Sequence, residues 1–319
     1  MKPNMANPRI VGTKVLFAIL MAGIVFSKTP VAMGQPGKNT APCSSPCGCS
    51  SDDDIWFVSA RNYDCPSHDL SGLCCQRWID GGWQERSLDE LVELHHSDAL
   101  ASIVFVHGNR TDEYWAKHRG LDLLALGFPP PECRRPVRLI IWAWCSDRIC
   151  GPRRDFEIKS ERAIRLGSVF AETLERFGES HPVVIGYSLG CQVIAQAFVT
   201  HSFSGNEPFR LAFIAPVLNA DFSASCCRSL LVSGQVGQAY VLTNPRDPVV
   251  RAARRFNRRH TRGQACSFEH WVQRSIQPLG PVQVINVRWE TRASHALTSY
   301  LESCQLKSQL LQLTAPESR

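Results

Sequence analysis

From Ile55 onward the chain repeats one unit: a short apolar run rich in β-branched and aromatic residues, a turn, then a segment whose apolar residues recur at helical spacing. "IWFVS" reads as a strand, with a second near "CQRWI". "SIVFVHG" is a strand followed by the helix "DEYWAKHRGLDLLALG". "VRLIIWAW" is a strand followed by the long amphipathic helix "DFEIKSERAIRLGSVFAETLERFG", which Gly178 closes. Further strands fall at Pro182–Ile185, "RLAFIA", "AYVLT" and "VQVINV", and a last helix runs from about Leu297 to Leu311. Because the strand runs are near-continuously apolar, both faces of each must be covered, and parallel strands separated by helices achieve that. The expected fold is α/β, a mostly parallel central sheet covered by helices on both faces, over residues 55–319. An apolar content of 44% in 319 residues is ordinary for such a core.

One unit is sharper than the rest. In "HPVVIGYSLGCQVIAQAF" a short buried strand runs into Gly-x-Ser-x-Gly, after which Leu189, Val193, Ile194 and Ala197 repeat at helical spacing. A Gly-x-Ser-x-Gly frame alone arises by chance; between a strand and a helix it describes a nucleophile elbow. So sharp a turn strains the backbone of Ser188, and Gly186 and Gly190 give both elements room to pass. The helix amino terminus then directs free N–H groups and its positive dipole end toward any anion formed near Ser188. Cys191, in the first turn of that helix, reads as a small buried filler.

A serine hydroxyl needs a base, and the base needs an acid to hold it. Downstream of Ser188 the sequence offers Asp247, in the Pro-bracketed turn "NPRDP" just past a strand, with Asp221 as runner-up and Glu290 third. Of the histidines that follow, His260 falls within an arginine-rich helix and His270 in a polar stretch. His295 falls in the loop between the last strand and the last helix. Upstream, a strand ends in His107-Gly108-Asn109-Arg110. Asn109 also opens a glycosylation sequon, a poor acceptor where it lines a pocket.

"VHGN", "GYSLG", "NPRDP" and "SHALTSYL" together resemble the oxyanion loop, elbow, acid turn and histidine loop of the α/β-hydrolase superfamily, in particular its bacterial esterase and lipase members, from about Ile55 to Gln312. The resemblance implies acyl transfer on a small-molecule or lipid ester by Ser188, His295 and Asp247. It places the oxyanion between the backbone N–H groups of Asn109 and Leu189, with no metal and no cofactor. The same groups would serve a thioesterase or an amidase, and a non-catalytic binding protein on the same scaffold is the alternative of a different class. Pro216 to Gln238 is too short to hold a separate cap domain. "CCQRWIDGGWQERS" and "SASCCRS" match no motif of that family.

The amino terminus differs in kind. Lys2, Arg9 and Lys14 precede the apolar run "VLFAILMAGIVF", and Ala32 and Gly34 stand where a small-residue cleavage site belongs. That pattern predicts a signal peptide over residues 1–34 and an exported protein; twelve apolar positions fall short of the ~20 of a membrane anchor. Residues 35–54, rich in Gly, Pro, Ser and Cys, read as a linker or stapled tail. Four of the 35 basic residues, Lys2, Arg9, Lys14 and Lys28, lie in the leader and no acidic residue does, leaving 31 basic against 29 acidic residues. Such a balance predicts no nucleic-acid partner. All 14 cysteines follow the leader, and Cys43, Cys47, Cys49, Cys65, Cys74 and Cys75 crowd the early mature chain as expected of local disulfides. Lastly, Arg251, Arg254, Arg255, Arg258, Arg259 and Arg262 form a stripe opposite Val250, Ala253 and Phe256 on one helix. The first reading is a solvated face, the second a weak contact with an anionic surface or lipid.

Overall fold

The structure, a computed structural model, describes residues 52–63, 70–97, 100–178, 182–205, 207–218, 234–260 and 282–315. The leader, the cysteine-rich stretch through residue 51, Asp221, His270 and Arg262 lie outside the described residues. Among the described residues no helix is long and apolar enough to cross a membrane.

Nine strands build one sheet: β1 (Asp54–Ser59), β2 (Cys74–Ile79), β3 (Gly82–Arg86), β4 (Ala101–Val106), β5 (Val137–Ala143), β6 (Val183–Tyr187), β7 (Phe209–Ile214), β8 (Val236–Thr243) and β9 (Val282–Asn286), in the order β3-β2-β1-β5-β4-β6-β7-β8-β9. All pairs from β1 through β9 are parallel, and β2 runs antiparallel to both of its neighbours. The helices are α1 (Leu88–Ser97), α2 (Glu113–Gly127), α3 (Pro152–Glu175), α4 (Gly190–Thr200), α5 (Pro248–His260), α6 (Arg288–Thr291), α7 (Leu297–Leu301) and α8 (Cys304–Thr314). The expected α/β architecture is therefore present.

Two neighbouring residues of β5 identify the two layers, since successive strand side chains point to opposite faces. Ile141 meets α2, where a β-carbon on Gly120 would fall 2.3 Å from its Cδ1. Trp142 meets α3, its ring edge-on to Phe170 with centroids 4.9 Å apart. Helices α7 and α8 join α2, and α4 joins α3. Strand β4 lies between β5 and β6, so the connections through α2 and α3 leave in opposite directions. A crevice opens at the carboxyl ends of β4 and β6, where open α/β sheets bind their ligands.

The fold departs from the expected pattern in several places, among them helix α1, which the sequence pattern does not show. "CCQRWIDGGWQERS" forms the β2–β3 hairpin, turned by Asp80 and Gly81 with φ of 51° and 81°, the geometry of a two-residue type I′ turn. Of Asp53 and Asp54, placed by composition at the end of a linker, Asp54 opens β1 and Asp53 precedes it, its side chain fastened to the start of β5. Asp54 takes hydrogen bonds from Arg138 Nε at 2.6 Å, Arg77 Nε at 2.8 Å and Trp56 Nε1 at 2.9 Å. Asp53 accepts from Arg134 and from the Val137 N–H. Buried carboxylates persist only when satisfied in this way. The final helix is two helices, α7 and α8, because Ser303 leaves the helical conformation and caps α8 by accepting from the Leu306 N–H. Cys74, Cys75, Cys133, Cys145, Cys150 and Cys304 are free thiols, and burial pushes the Cys75 thiol up to about 12.

Candidate active site

Ser188 follows the last residue of β6 with φ of 54°, a left-handed conformation that costs a non-glycine residue about 1–2 kcal/mol. The turn is held by the Ser188 N–H donating to Ile214 O at 2.9 Å and by Ser188 O accepting from the Val217 N–H at 3.1 Å. Both flanking glycines are required by close approach. A β-carbon at Gly190 would fall 2.4 Å from Val106 O, and one at Gly186 would fall 2.6 Å from Ile194 Cδ1. Cys191 is buried with its thiol toward Ile214 O.

The turn after β8 brings Asp247 to this point for a local reason. Asp247 precedes Pro248 at the start of α5, and its Oδ1 accepts from the N–H groups of Val249 at 2.9 Å and Val250 at 3.1 Å. The aspartate thus caps the helix while proline fills the first helical position, where no N–H is needed. The other oxygen, Oδ2, is left for His295 Nδ1 at 2.6 Å and for the Tyr300 hydroxyl, which donates at 2.8 Å. Burial, followed by the Asp247 charge, raises the Tyr300 pKa well above its ordinary value, so this hydroxyl stays a donor. With Nδ1–H donating to a carboxylate, His295 Nε2 is the bare nitrogen, and it lies 3.0 Å from Ser188 Oγ. Asn244 ties the acid turn to the histidine loop through Thr291 Oγ1 at 2.8 Å and Arg292 O at 2.6 Å. Tyr187 donates its hydroxyl to His295 O, so the residue before the serine also fixes the loop that carries His295.

The loop after β4 is anchored from farther away. His107 is fully buried, stacked on Trp144, and its Nε2 accepts from the Trp144 N–H at 3.2 Å while Nδ1 faces Gly108 O at 2.9 Å. Burial depresses its pKa to about 3, so the ring is neutral and serves as a scaffold. Asp155, buried in the first turn of α3, accepts from Asn109 Nδ2 at 3.2 Å and Arg110 Nε at 2.8 Å on Oδ2, and from the Ile149 N–H at 2.9 Å on Oδ1. The backbone N–H groups of Asn109 and Leu189 take no part in the hydrogen bonds of the described loops and turns.

These pieces converge on one cavity of about 210 Å³, lined by Asn109, Leu189, Ser188 and His295 with Arg110, Arg119, Phe156, Tyr187, Val217 and Val249. Asp247 lies directly behind His295, fully buried against 15% exposure of the histidine side chain. Glu290 is exposed on α6. On α5, Val250 and Ala253 are buried while Arg251 and Arg255 are exposed, as an amphipathic helix requires. Asp155, Trp144 and Arg119 lie outside the quoted motifs, and only the register of distant elements brings them to the site; Tyr187 and Tyr300 lie inside "GYSLG" and "SHALTSYL" but at positions the motifs leave open.

No family model matches the chain, and no curated protein matches it. A solved structure to which it is similar is esterase B from Lactobacillus Rhamnosis (HN001), at 11% identity and a TM-score of 0.38, over 96% of this chain and 91% of that one. A likeness that distant defines no function.

Proposed function

We propose that this chain is an exported serine hydrolase that cleaves carboxylic esters through an acyl-enzyme. The observation that carries the reading is the unbroken relay from Ser188 Oγ to His295 Nε2 at 3.0 Å and from His295 Nδ1 to Asp247 Oδ2 at 2.6 Å, with the serine strained at φ 54°. His295 takes the Ser188 proton as Oγ attacks the ester carbonyl. Asp247 fixes the tautomer and stabilises the imidazolium that forms. The N–H groups of Asn109 and Leu189, both on the cavity wall beside Ser188, receive the developing oxyanion. His295 then returns the proton to the leaving alcohol, and water, activated by the same imidazole, releases the acid. Export rests on the leader of residues 1–34.

Hydrolysis of p-nitrophenyl butyrate by the purified protein tests the reading. Ser188→Ala should lower turnover by roughly 10⁶ while the folded state persists by circular dichroism. Turnover that survives in Ser188→Ala would contradict it.

A further inference from the structure

We propose that the cavity beside Ser188 selects a small ester that carries a carboxylate, and that Arg119 is the residue that holds this charge. The inference rests on the reading of Ser188 as a nucleophile and deepens it by naming the substrate class. At about 210 Å³ the cavity is smaller than the roughly 300–1,000 Å³ typical of drug-sized ligands, so a long acyl chain does not fit within it. Phe156, Val217 and Val249 supply apolar wall, yet two guanidinium groups line the same space and, among the described residues, no carboxylate does.

The two arginines are in different electrostatic states. Arg110 is compensated, its Nε 2.8 Å from the buried Asp155. Arg119 is held by neutral groups: Nη1 donates to Thr111 Oγ1 at 2.5 Å, and the guanidinium lies 5.8 Å from the centre of the Tyr187 ring. Asp122, one turn further along α2, acts on Arg119 through space. No ion pair joins Arg119 to any described residue. A half-buried guanidinium fixed on two sides by neutral partners keeps a preoriented fork of donors, and a carboxylate is the group that matches such a fork. Arg119 and Ser188 line the same cavity, so an ester bound at the serine shares that space with the guanidinium.

Two pairs of similar-sized esters, followed by proton release, read the selection. Monomethyl glutarate against methyl valerate places the carboxylate on the acyl side, and butyryloxyacetate against propyl butyrate places it on the alcohol side. The wild type should favour the charged member of one pair by about tenfold to a hundredfold in kcat/KM, in line with a charge-assisted hydrogen bond. Arg119→Gln should bring that ratio to about one, with Arg119→Lys in between because the point charge survives and the fork does not. Hydrolysis of all four esters without preference, or a preference that Arg119→Gln leaves intact, overturns the proposal. If none of the four is hydrolysed, the reading of Ser188 fails instead. Calorimetry with glutarate then decides for Arg119: binding abolished by Arg119→Gln upholds the anion site, and no binding to the wild type removes it.

Discussion

On one flank of Ser188, Asp247 is set by a turn complete within a few residues, an aspartate that caps its own helix, and His295 sits in the short loop between α6 and α7, which Asn244 ties back to that turn. On the other flank, the loop from His107 to Thr111 has little local support. Its geometry comes from Trp144 and Ser146 beyond β5 and from Asp155 on α3. Asp247 is hydrogen-bonded to His295 and His295 to Ser188, so under the proposed mechanism their loss acts on the proton transfer itself. The His107–Thr111 flank is a scaffold of buried neutral and charged groups, so its loss acts through position and stability.

Substitutions on the two flanks can separate these modes. Asp247→Asn leaves the helix cap but presents an amide to His295 Nδ1, which favours the wrong tautomer; kcat should fall on the order of 10⁴ with KM little changed. The same loss from Asp221→Asn, with Asp247→Asn active, would move the acid to Asp221. On the opposite flank, His107 gives an acid-stability signature. Its folded pKa of about 3 lies below the free value of 6.5, so between these pH values the unfolded chain binds a proton that the folded one does not. Stability contributed by neutral His107 is complete above pH 6.5 and is lost as pH falls through the window toward 3, on the order of a few kcal/mol. Urea midpoints between pH 7 and 4 should drop less steeply in a folded His107→Gln variant.

Asp155→Asn should cost roughly tenfold to a hundredfold in kcat by loosening Asn109, with a rise in KM smaller than the loss in kcat. An unchanged kcat would assign Asp155 to stability alone. The smallest effect belongs to the α5 stripe: replacing exposed Arg251 and Arg255 by glutamine should shift the urea midpoint by no more than about 0.5 kcal/mol equivalent. Unchanged binding to anionic lipid vesicles in that variant supports a solvated face, and lost binding supports surface recruitment.

The same contrast explains what could be read from the sequence. β6, Ser188 and α4 form one contiguous unit with residue types dictated by sterics, and Asp247 before Pro248 is a helix-start signal that happens to position an acid. The loop after β4 is visible only as "VHGN"; that Asp155, 46 residues beyond Asn109, holds it depends on β4 and β5 pairing in register and α3 crossing the sheet. Elsewhere local cues were present but weak. Helix α1, absent from the strand and helix pattern, opens with Ser87 accepting from the Glu90 N–H at 3.0 Å, the Ser-x-x-Glu spacing of a capping box. The β2–β3 hairpin has its Asp-Gly turn, yet its strands alternate poorly: Trp78 and Trp83 pack edge to face, and Trp83 also meets Lys117 of α2. At Ser303 a single capping side chain divides a periodic apolar run that reads as one helix.

The most direct test of the central claim is the site of covalent capture by a fluorophosphonate, which reacts with a serine only when a neighbouring base activates it. Mass analysis of the digested protein should place the phosphonyl adduct on Ser188, within "GYSLG", and both His295→Ala and Asp247→Ala should slow its formation. A correctly folded wild type that remains unlabelled, or an adduct at another serine, would contradict the account.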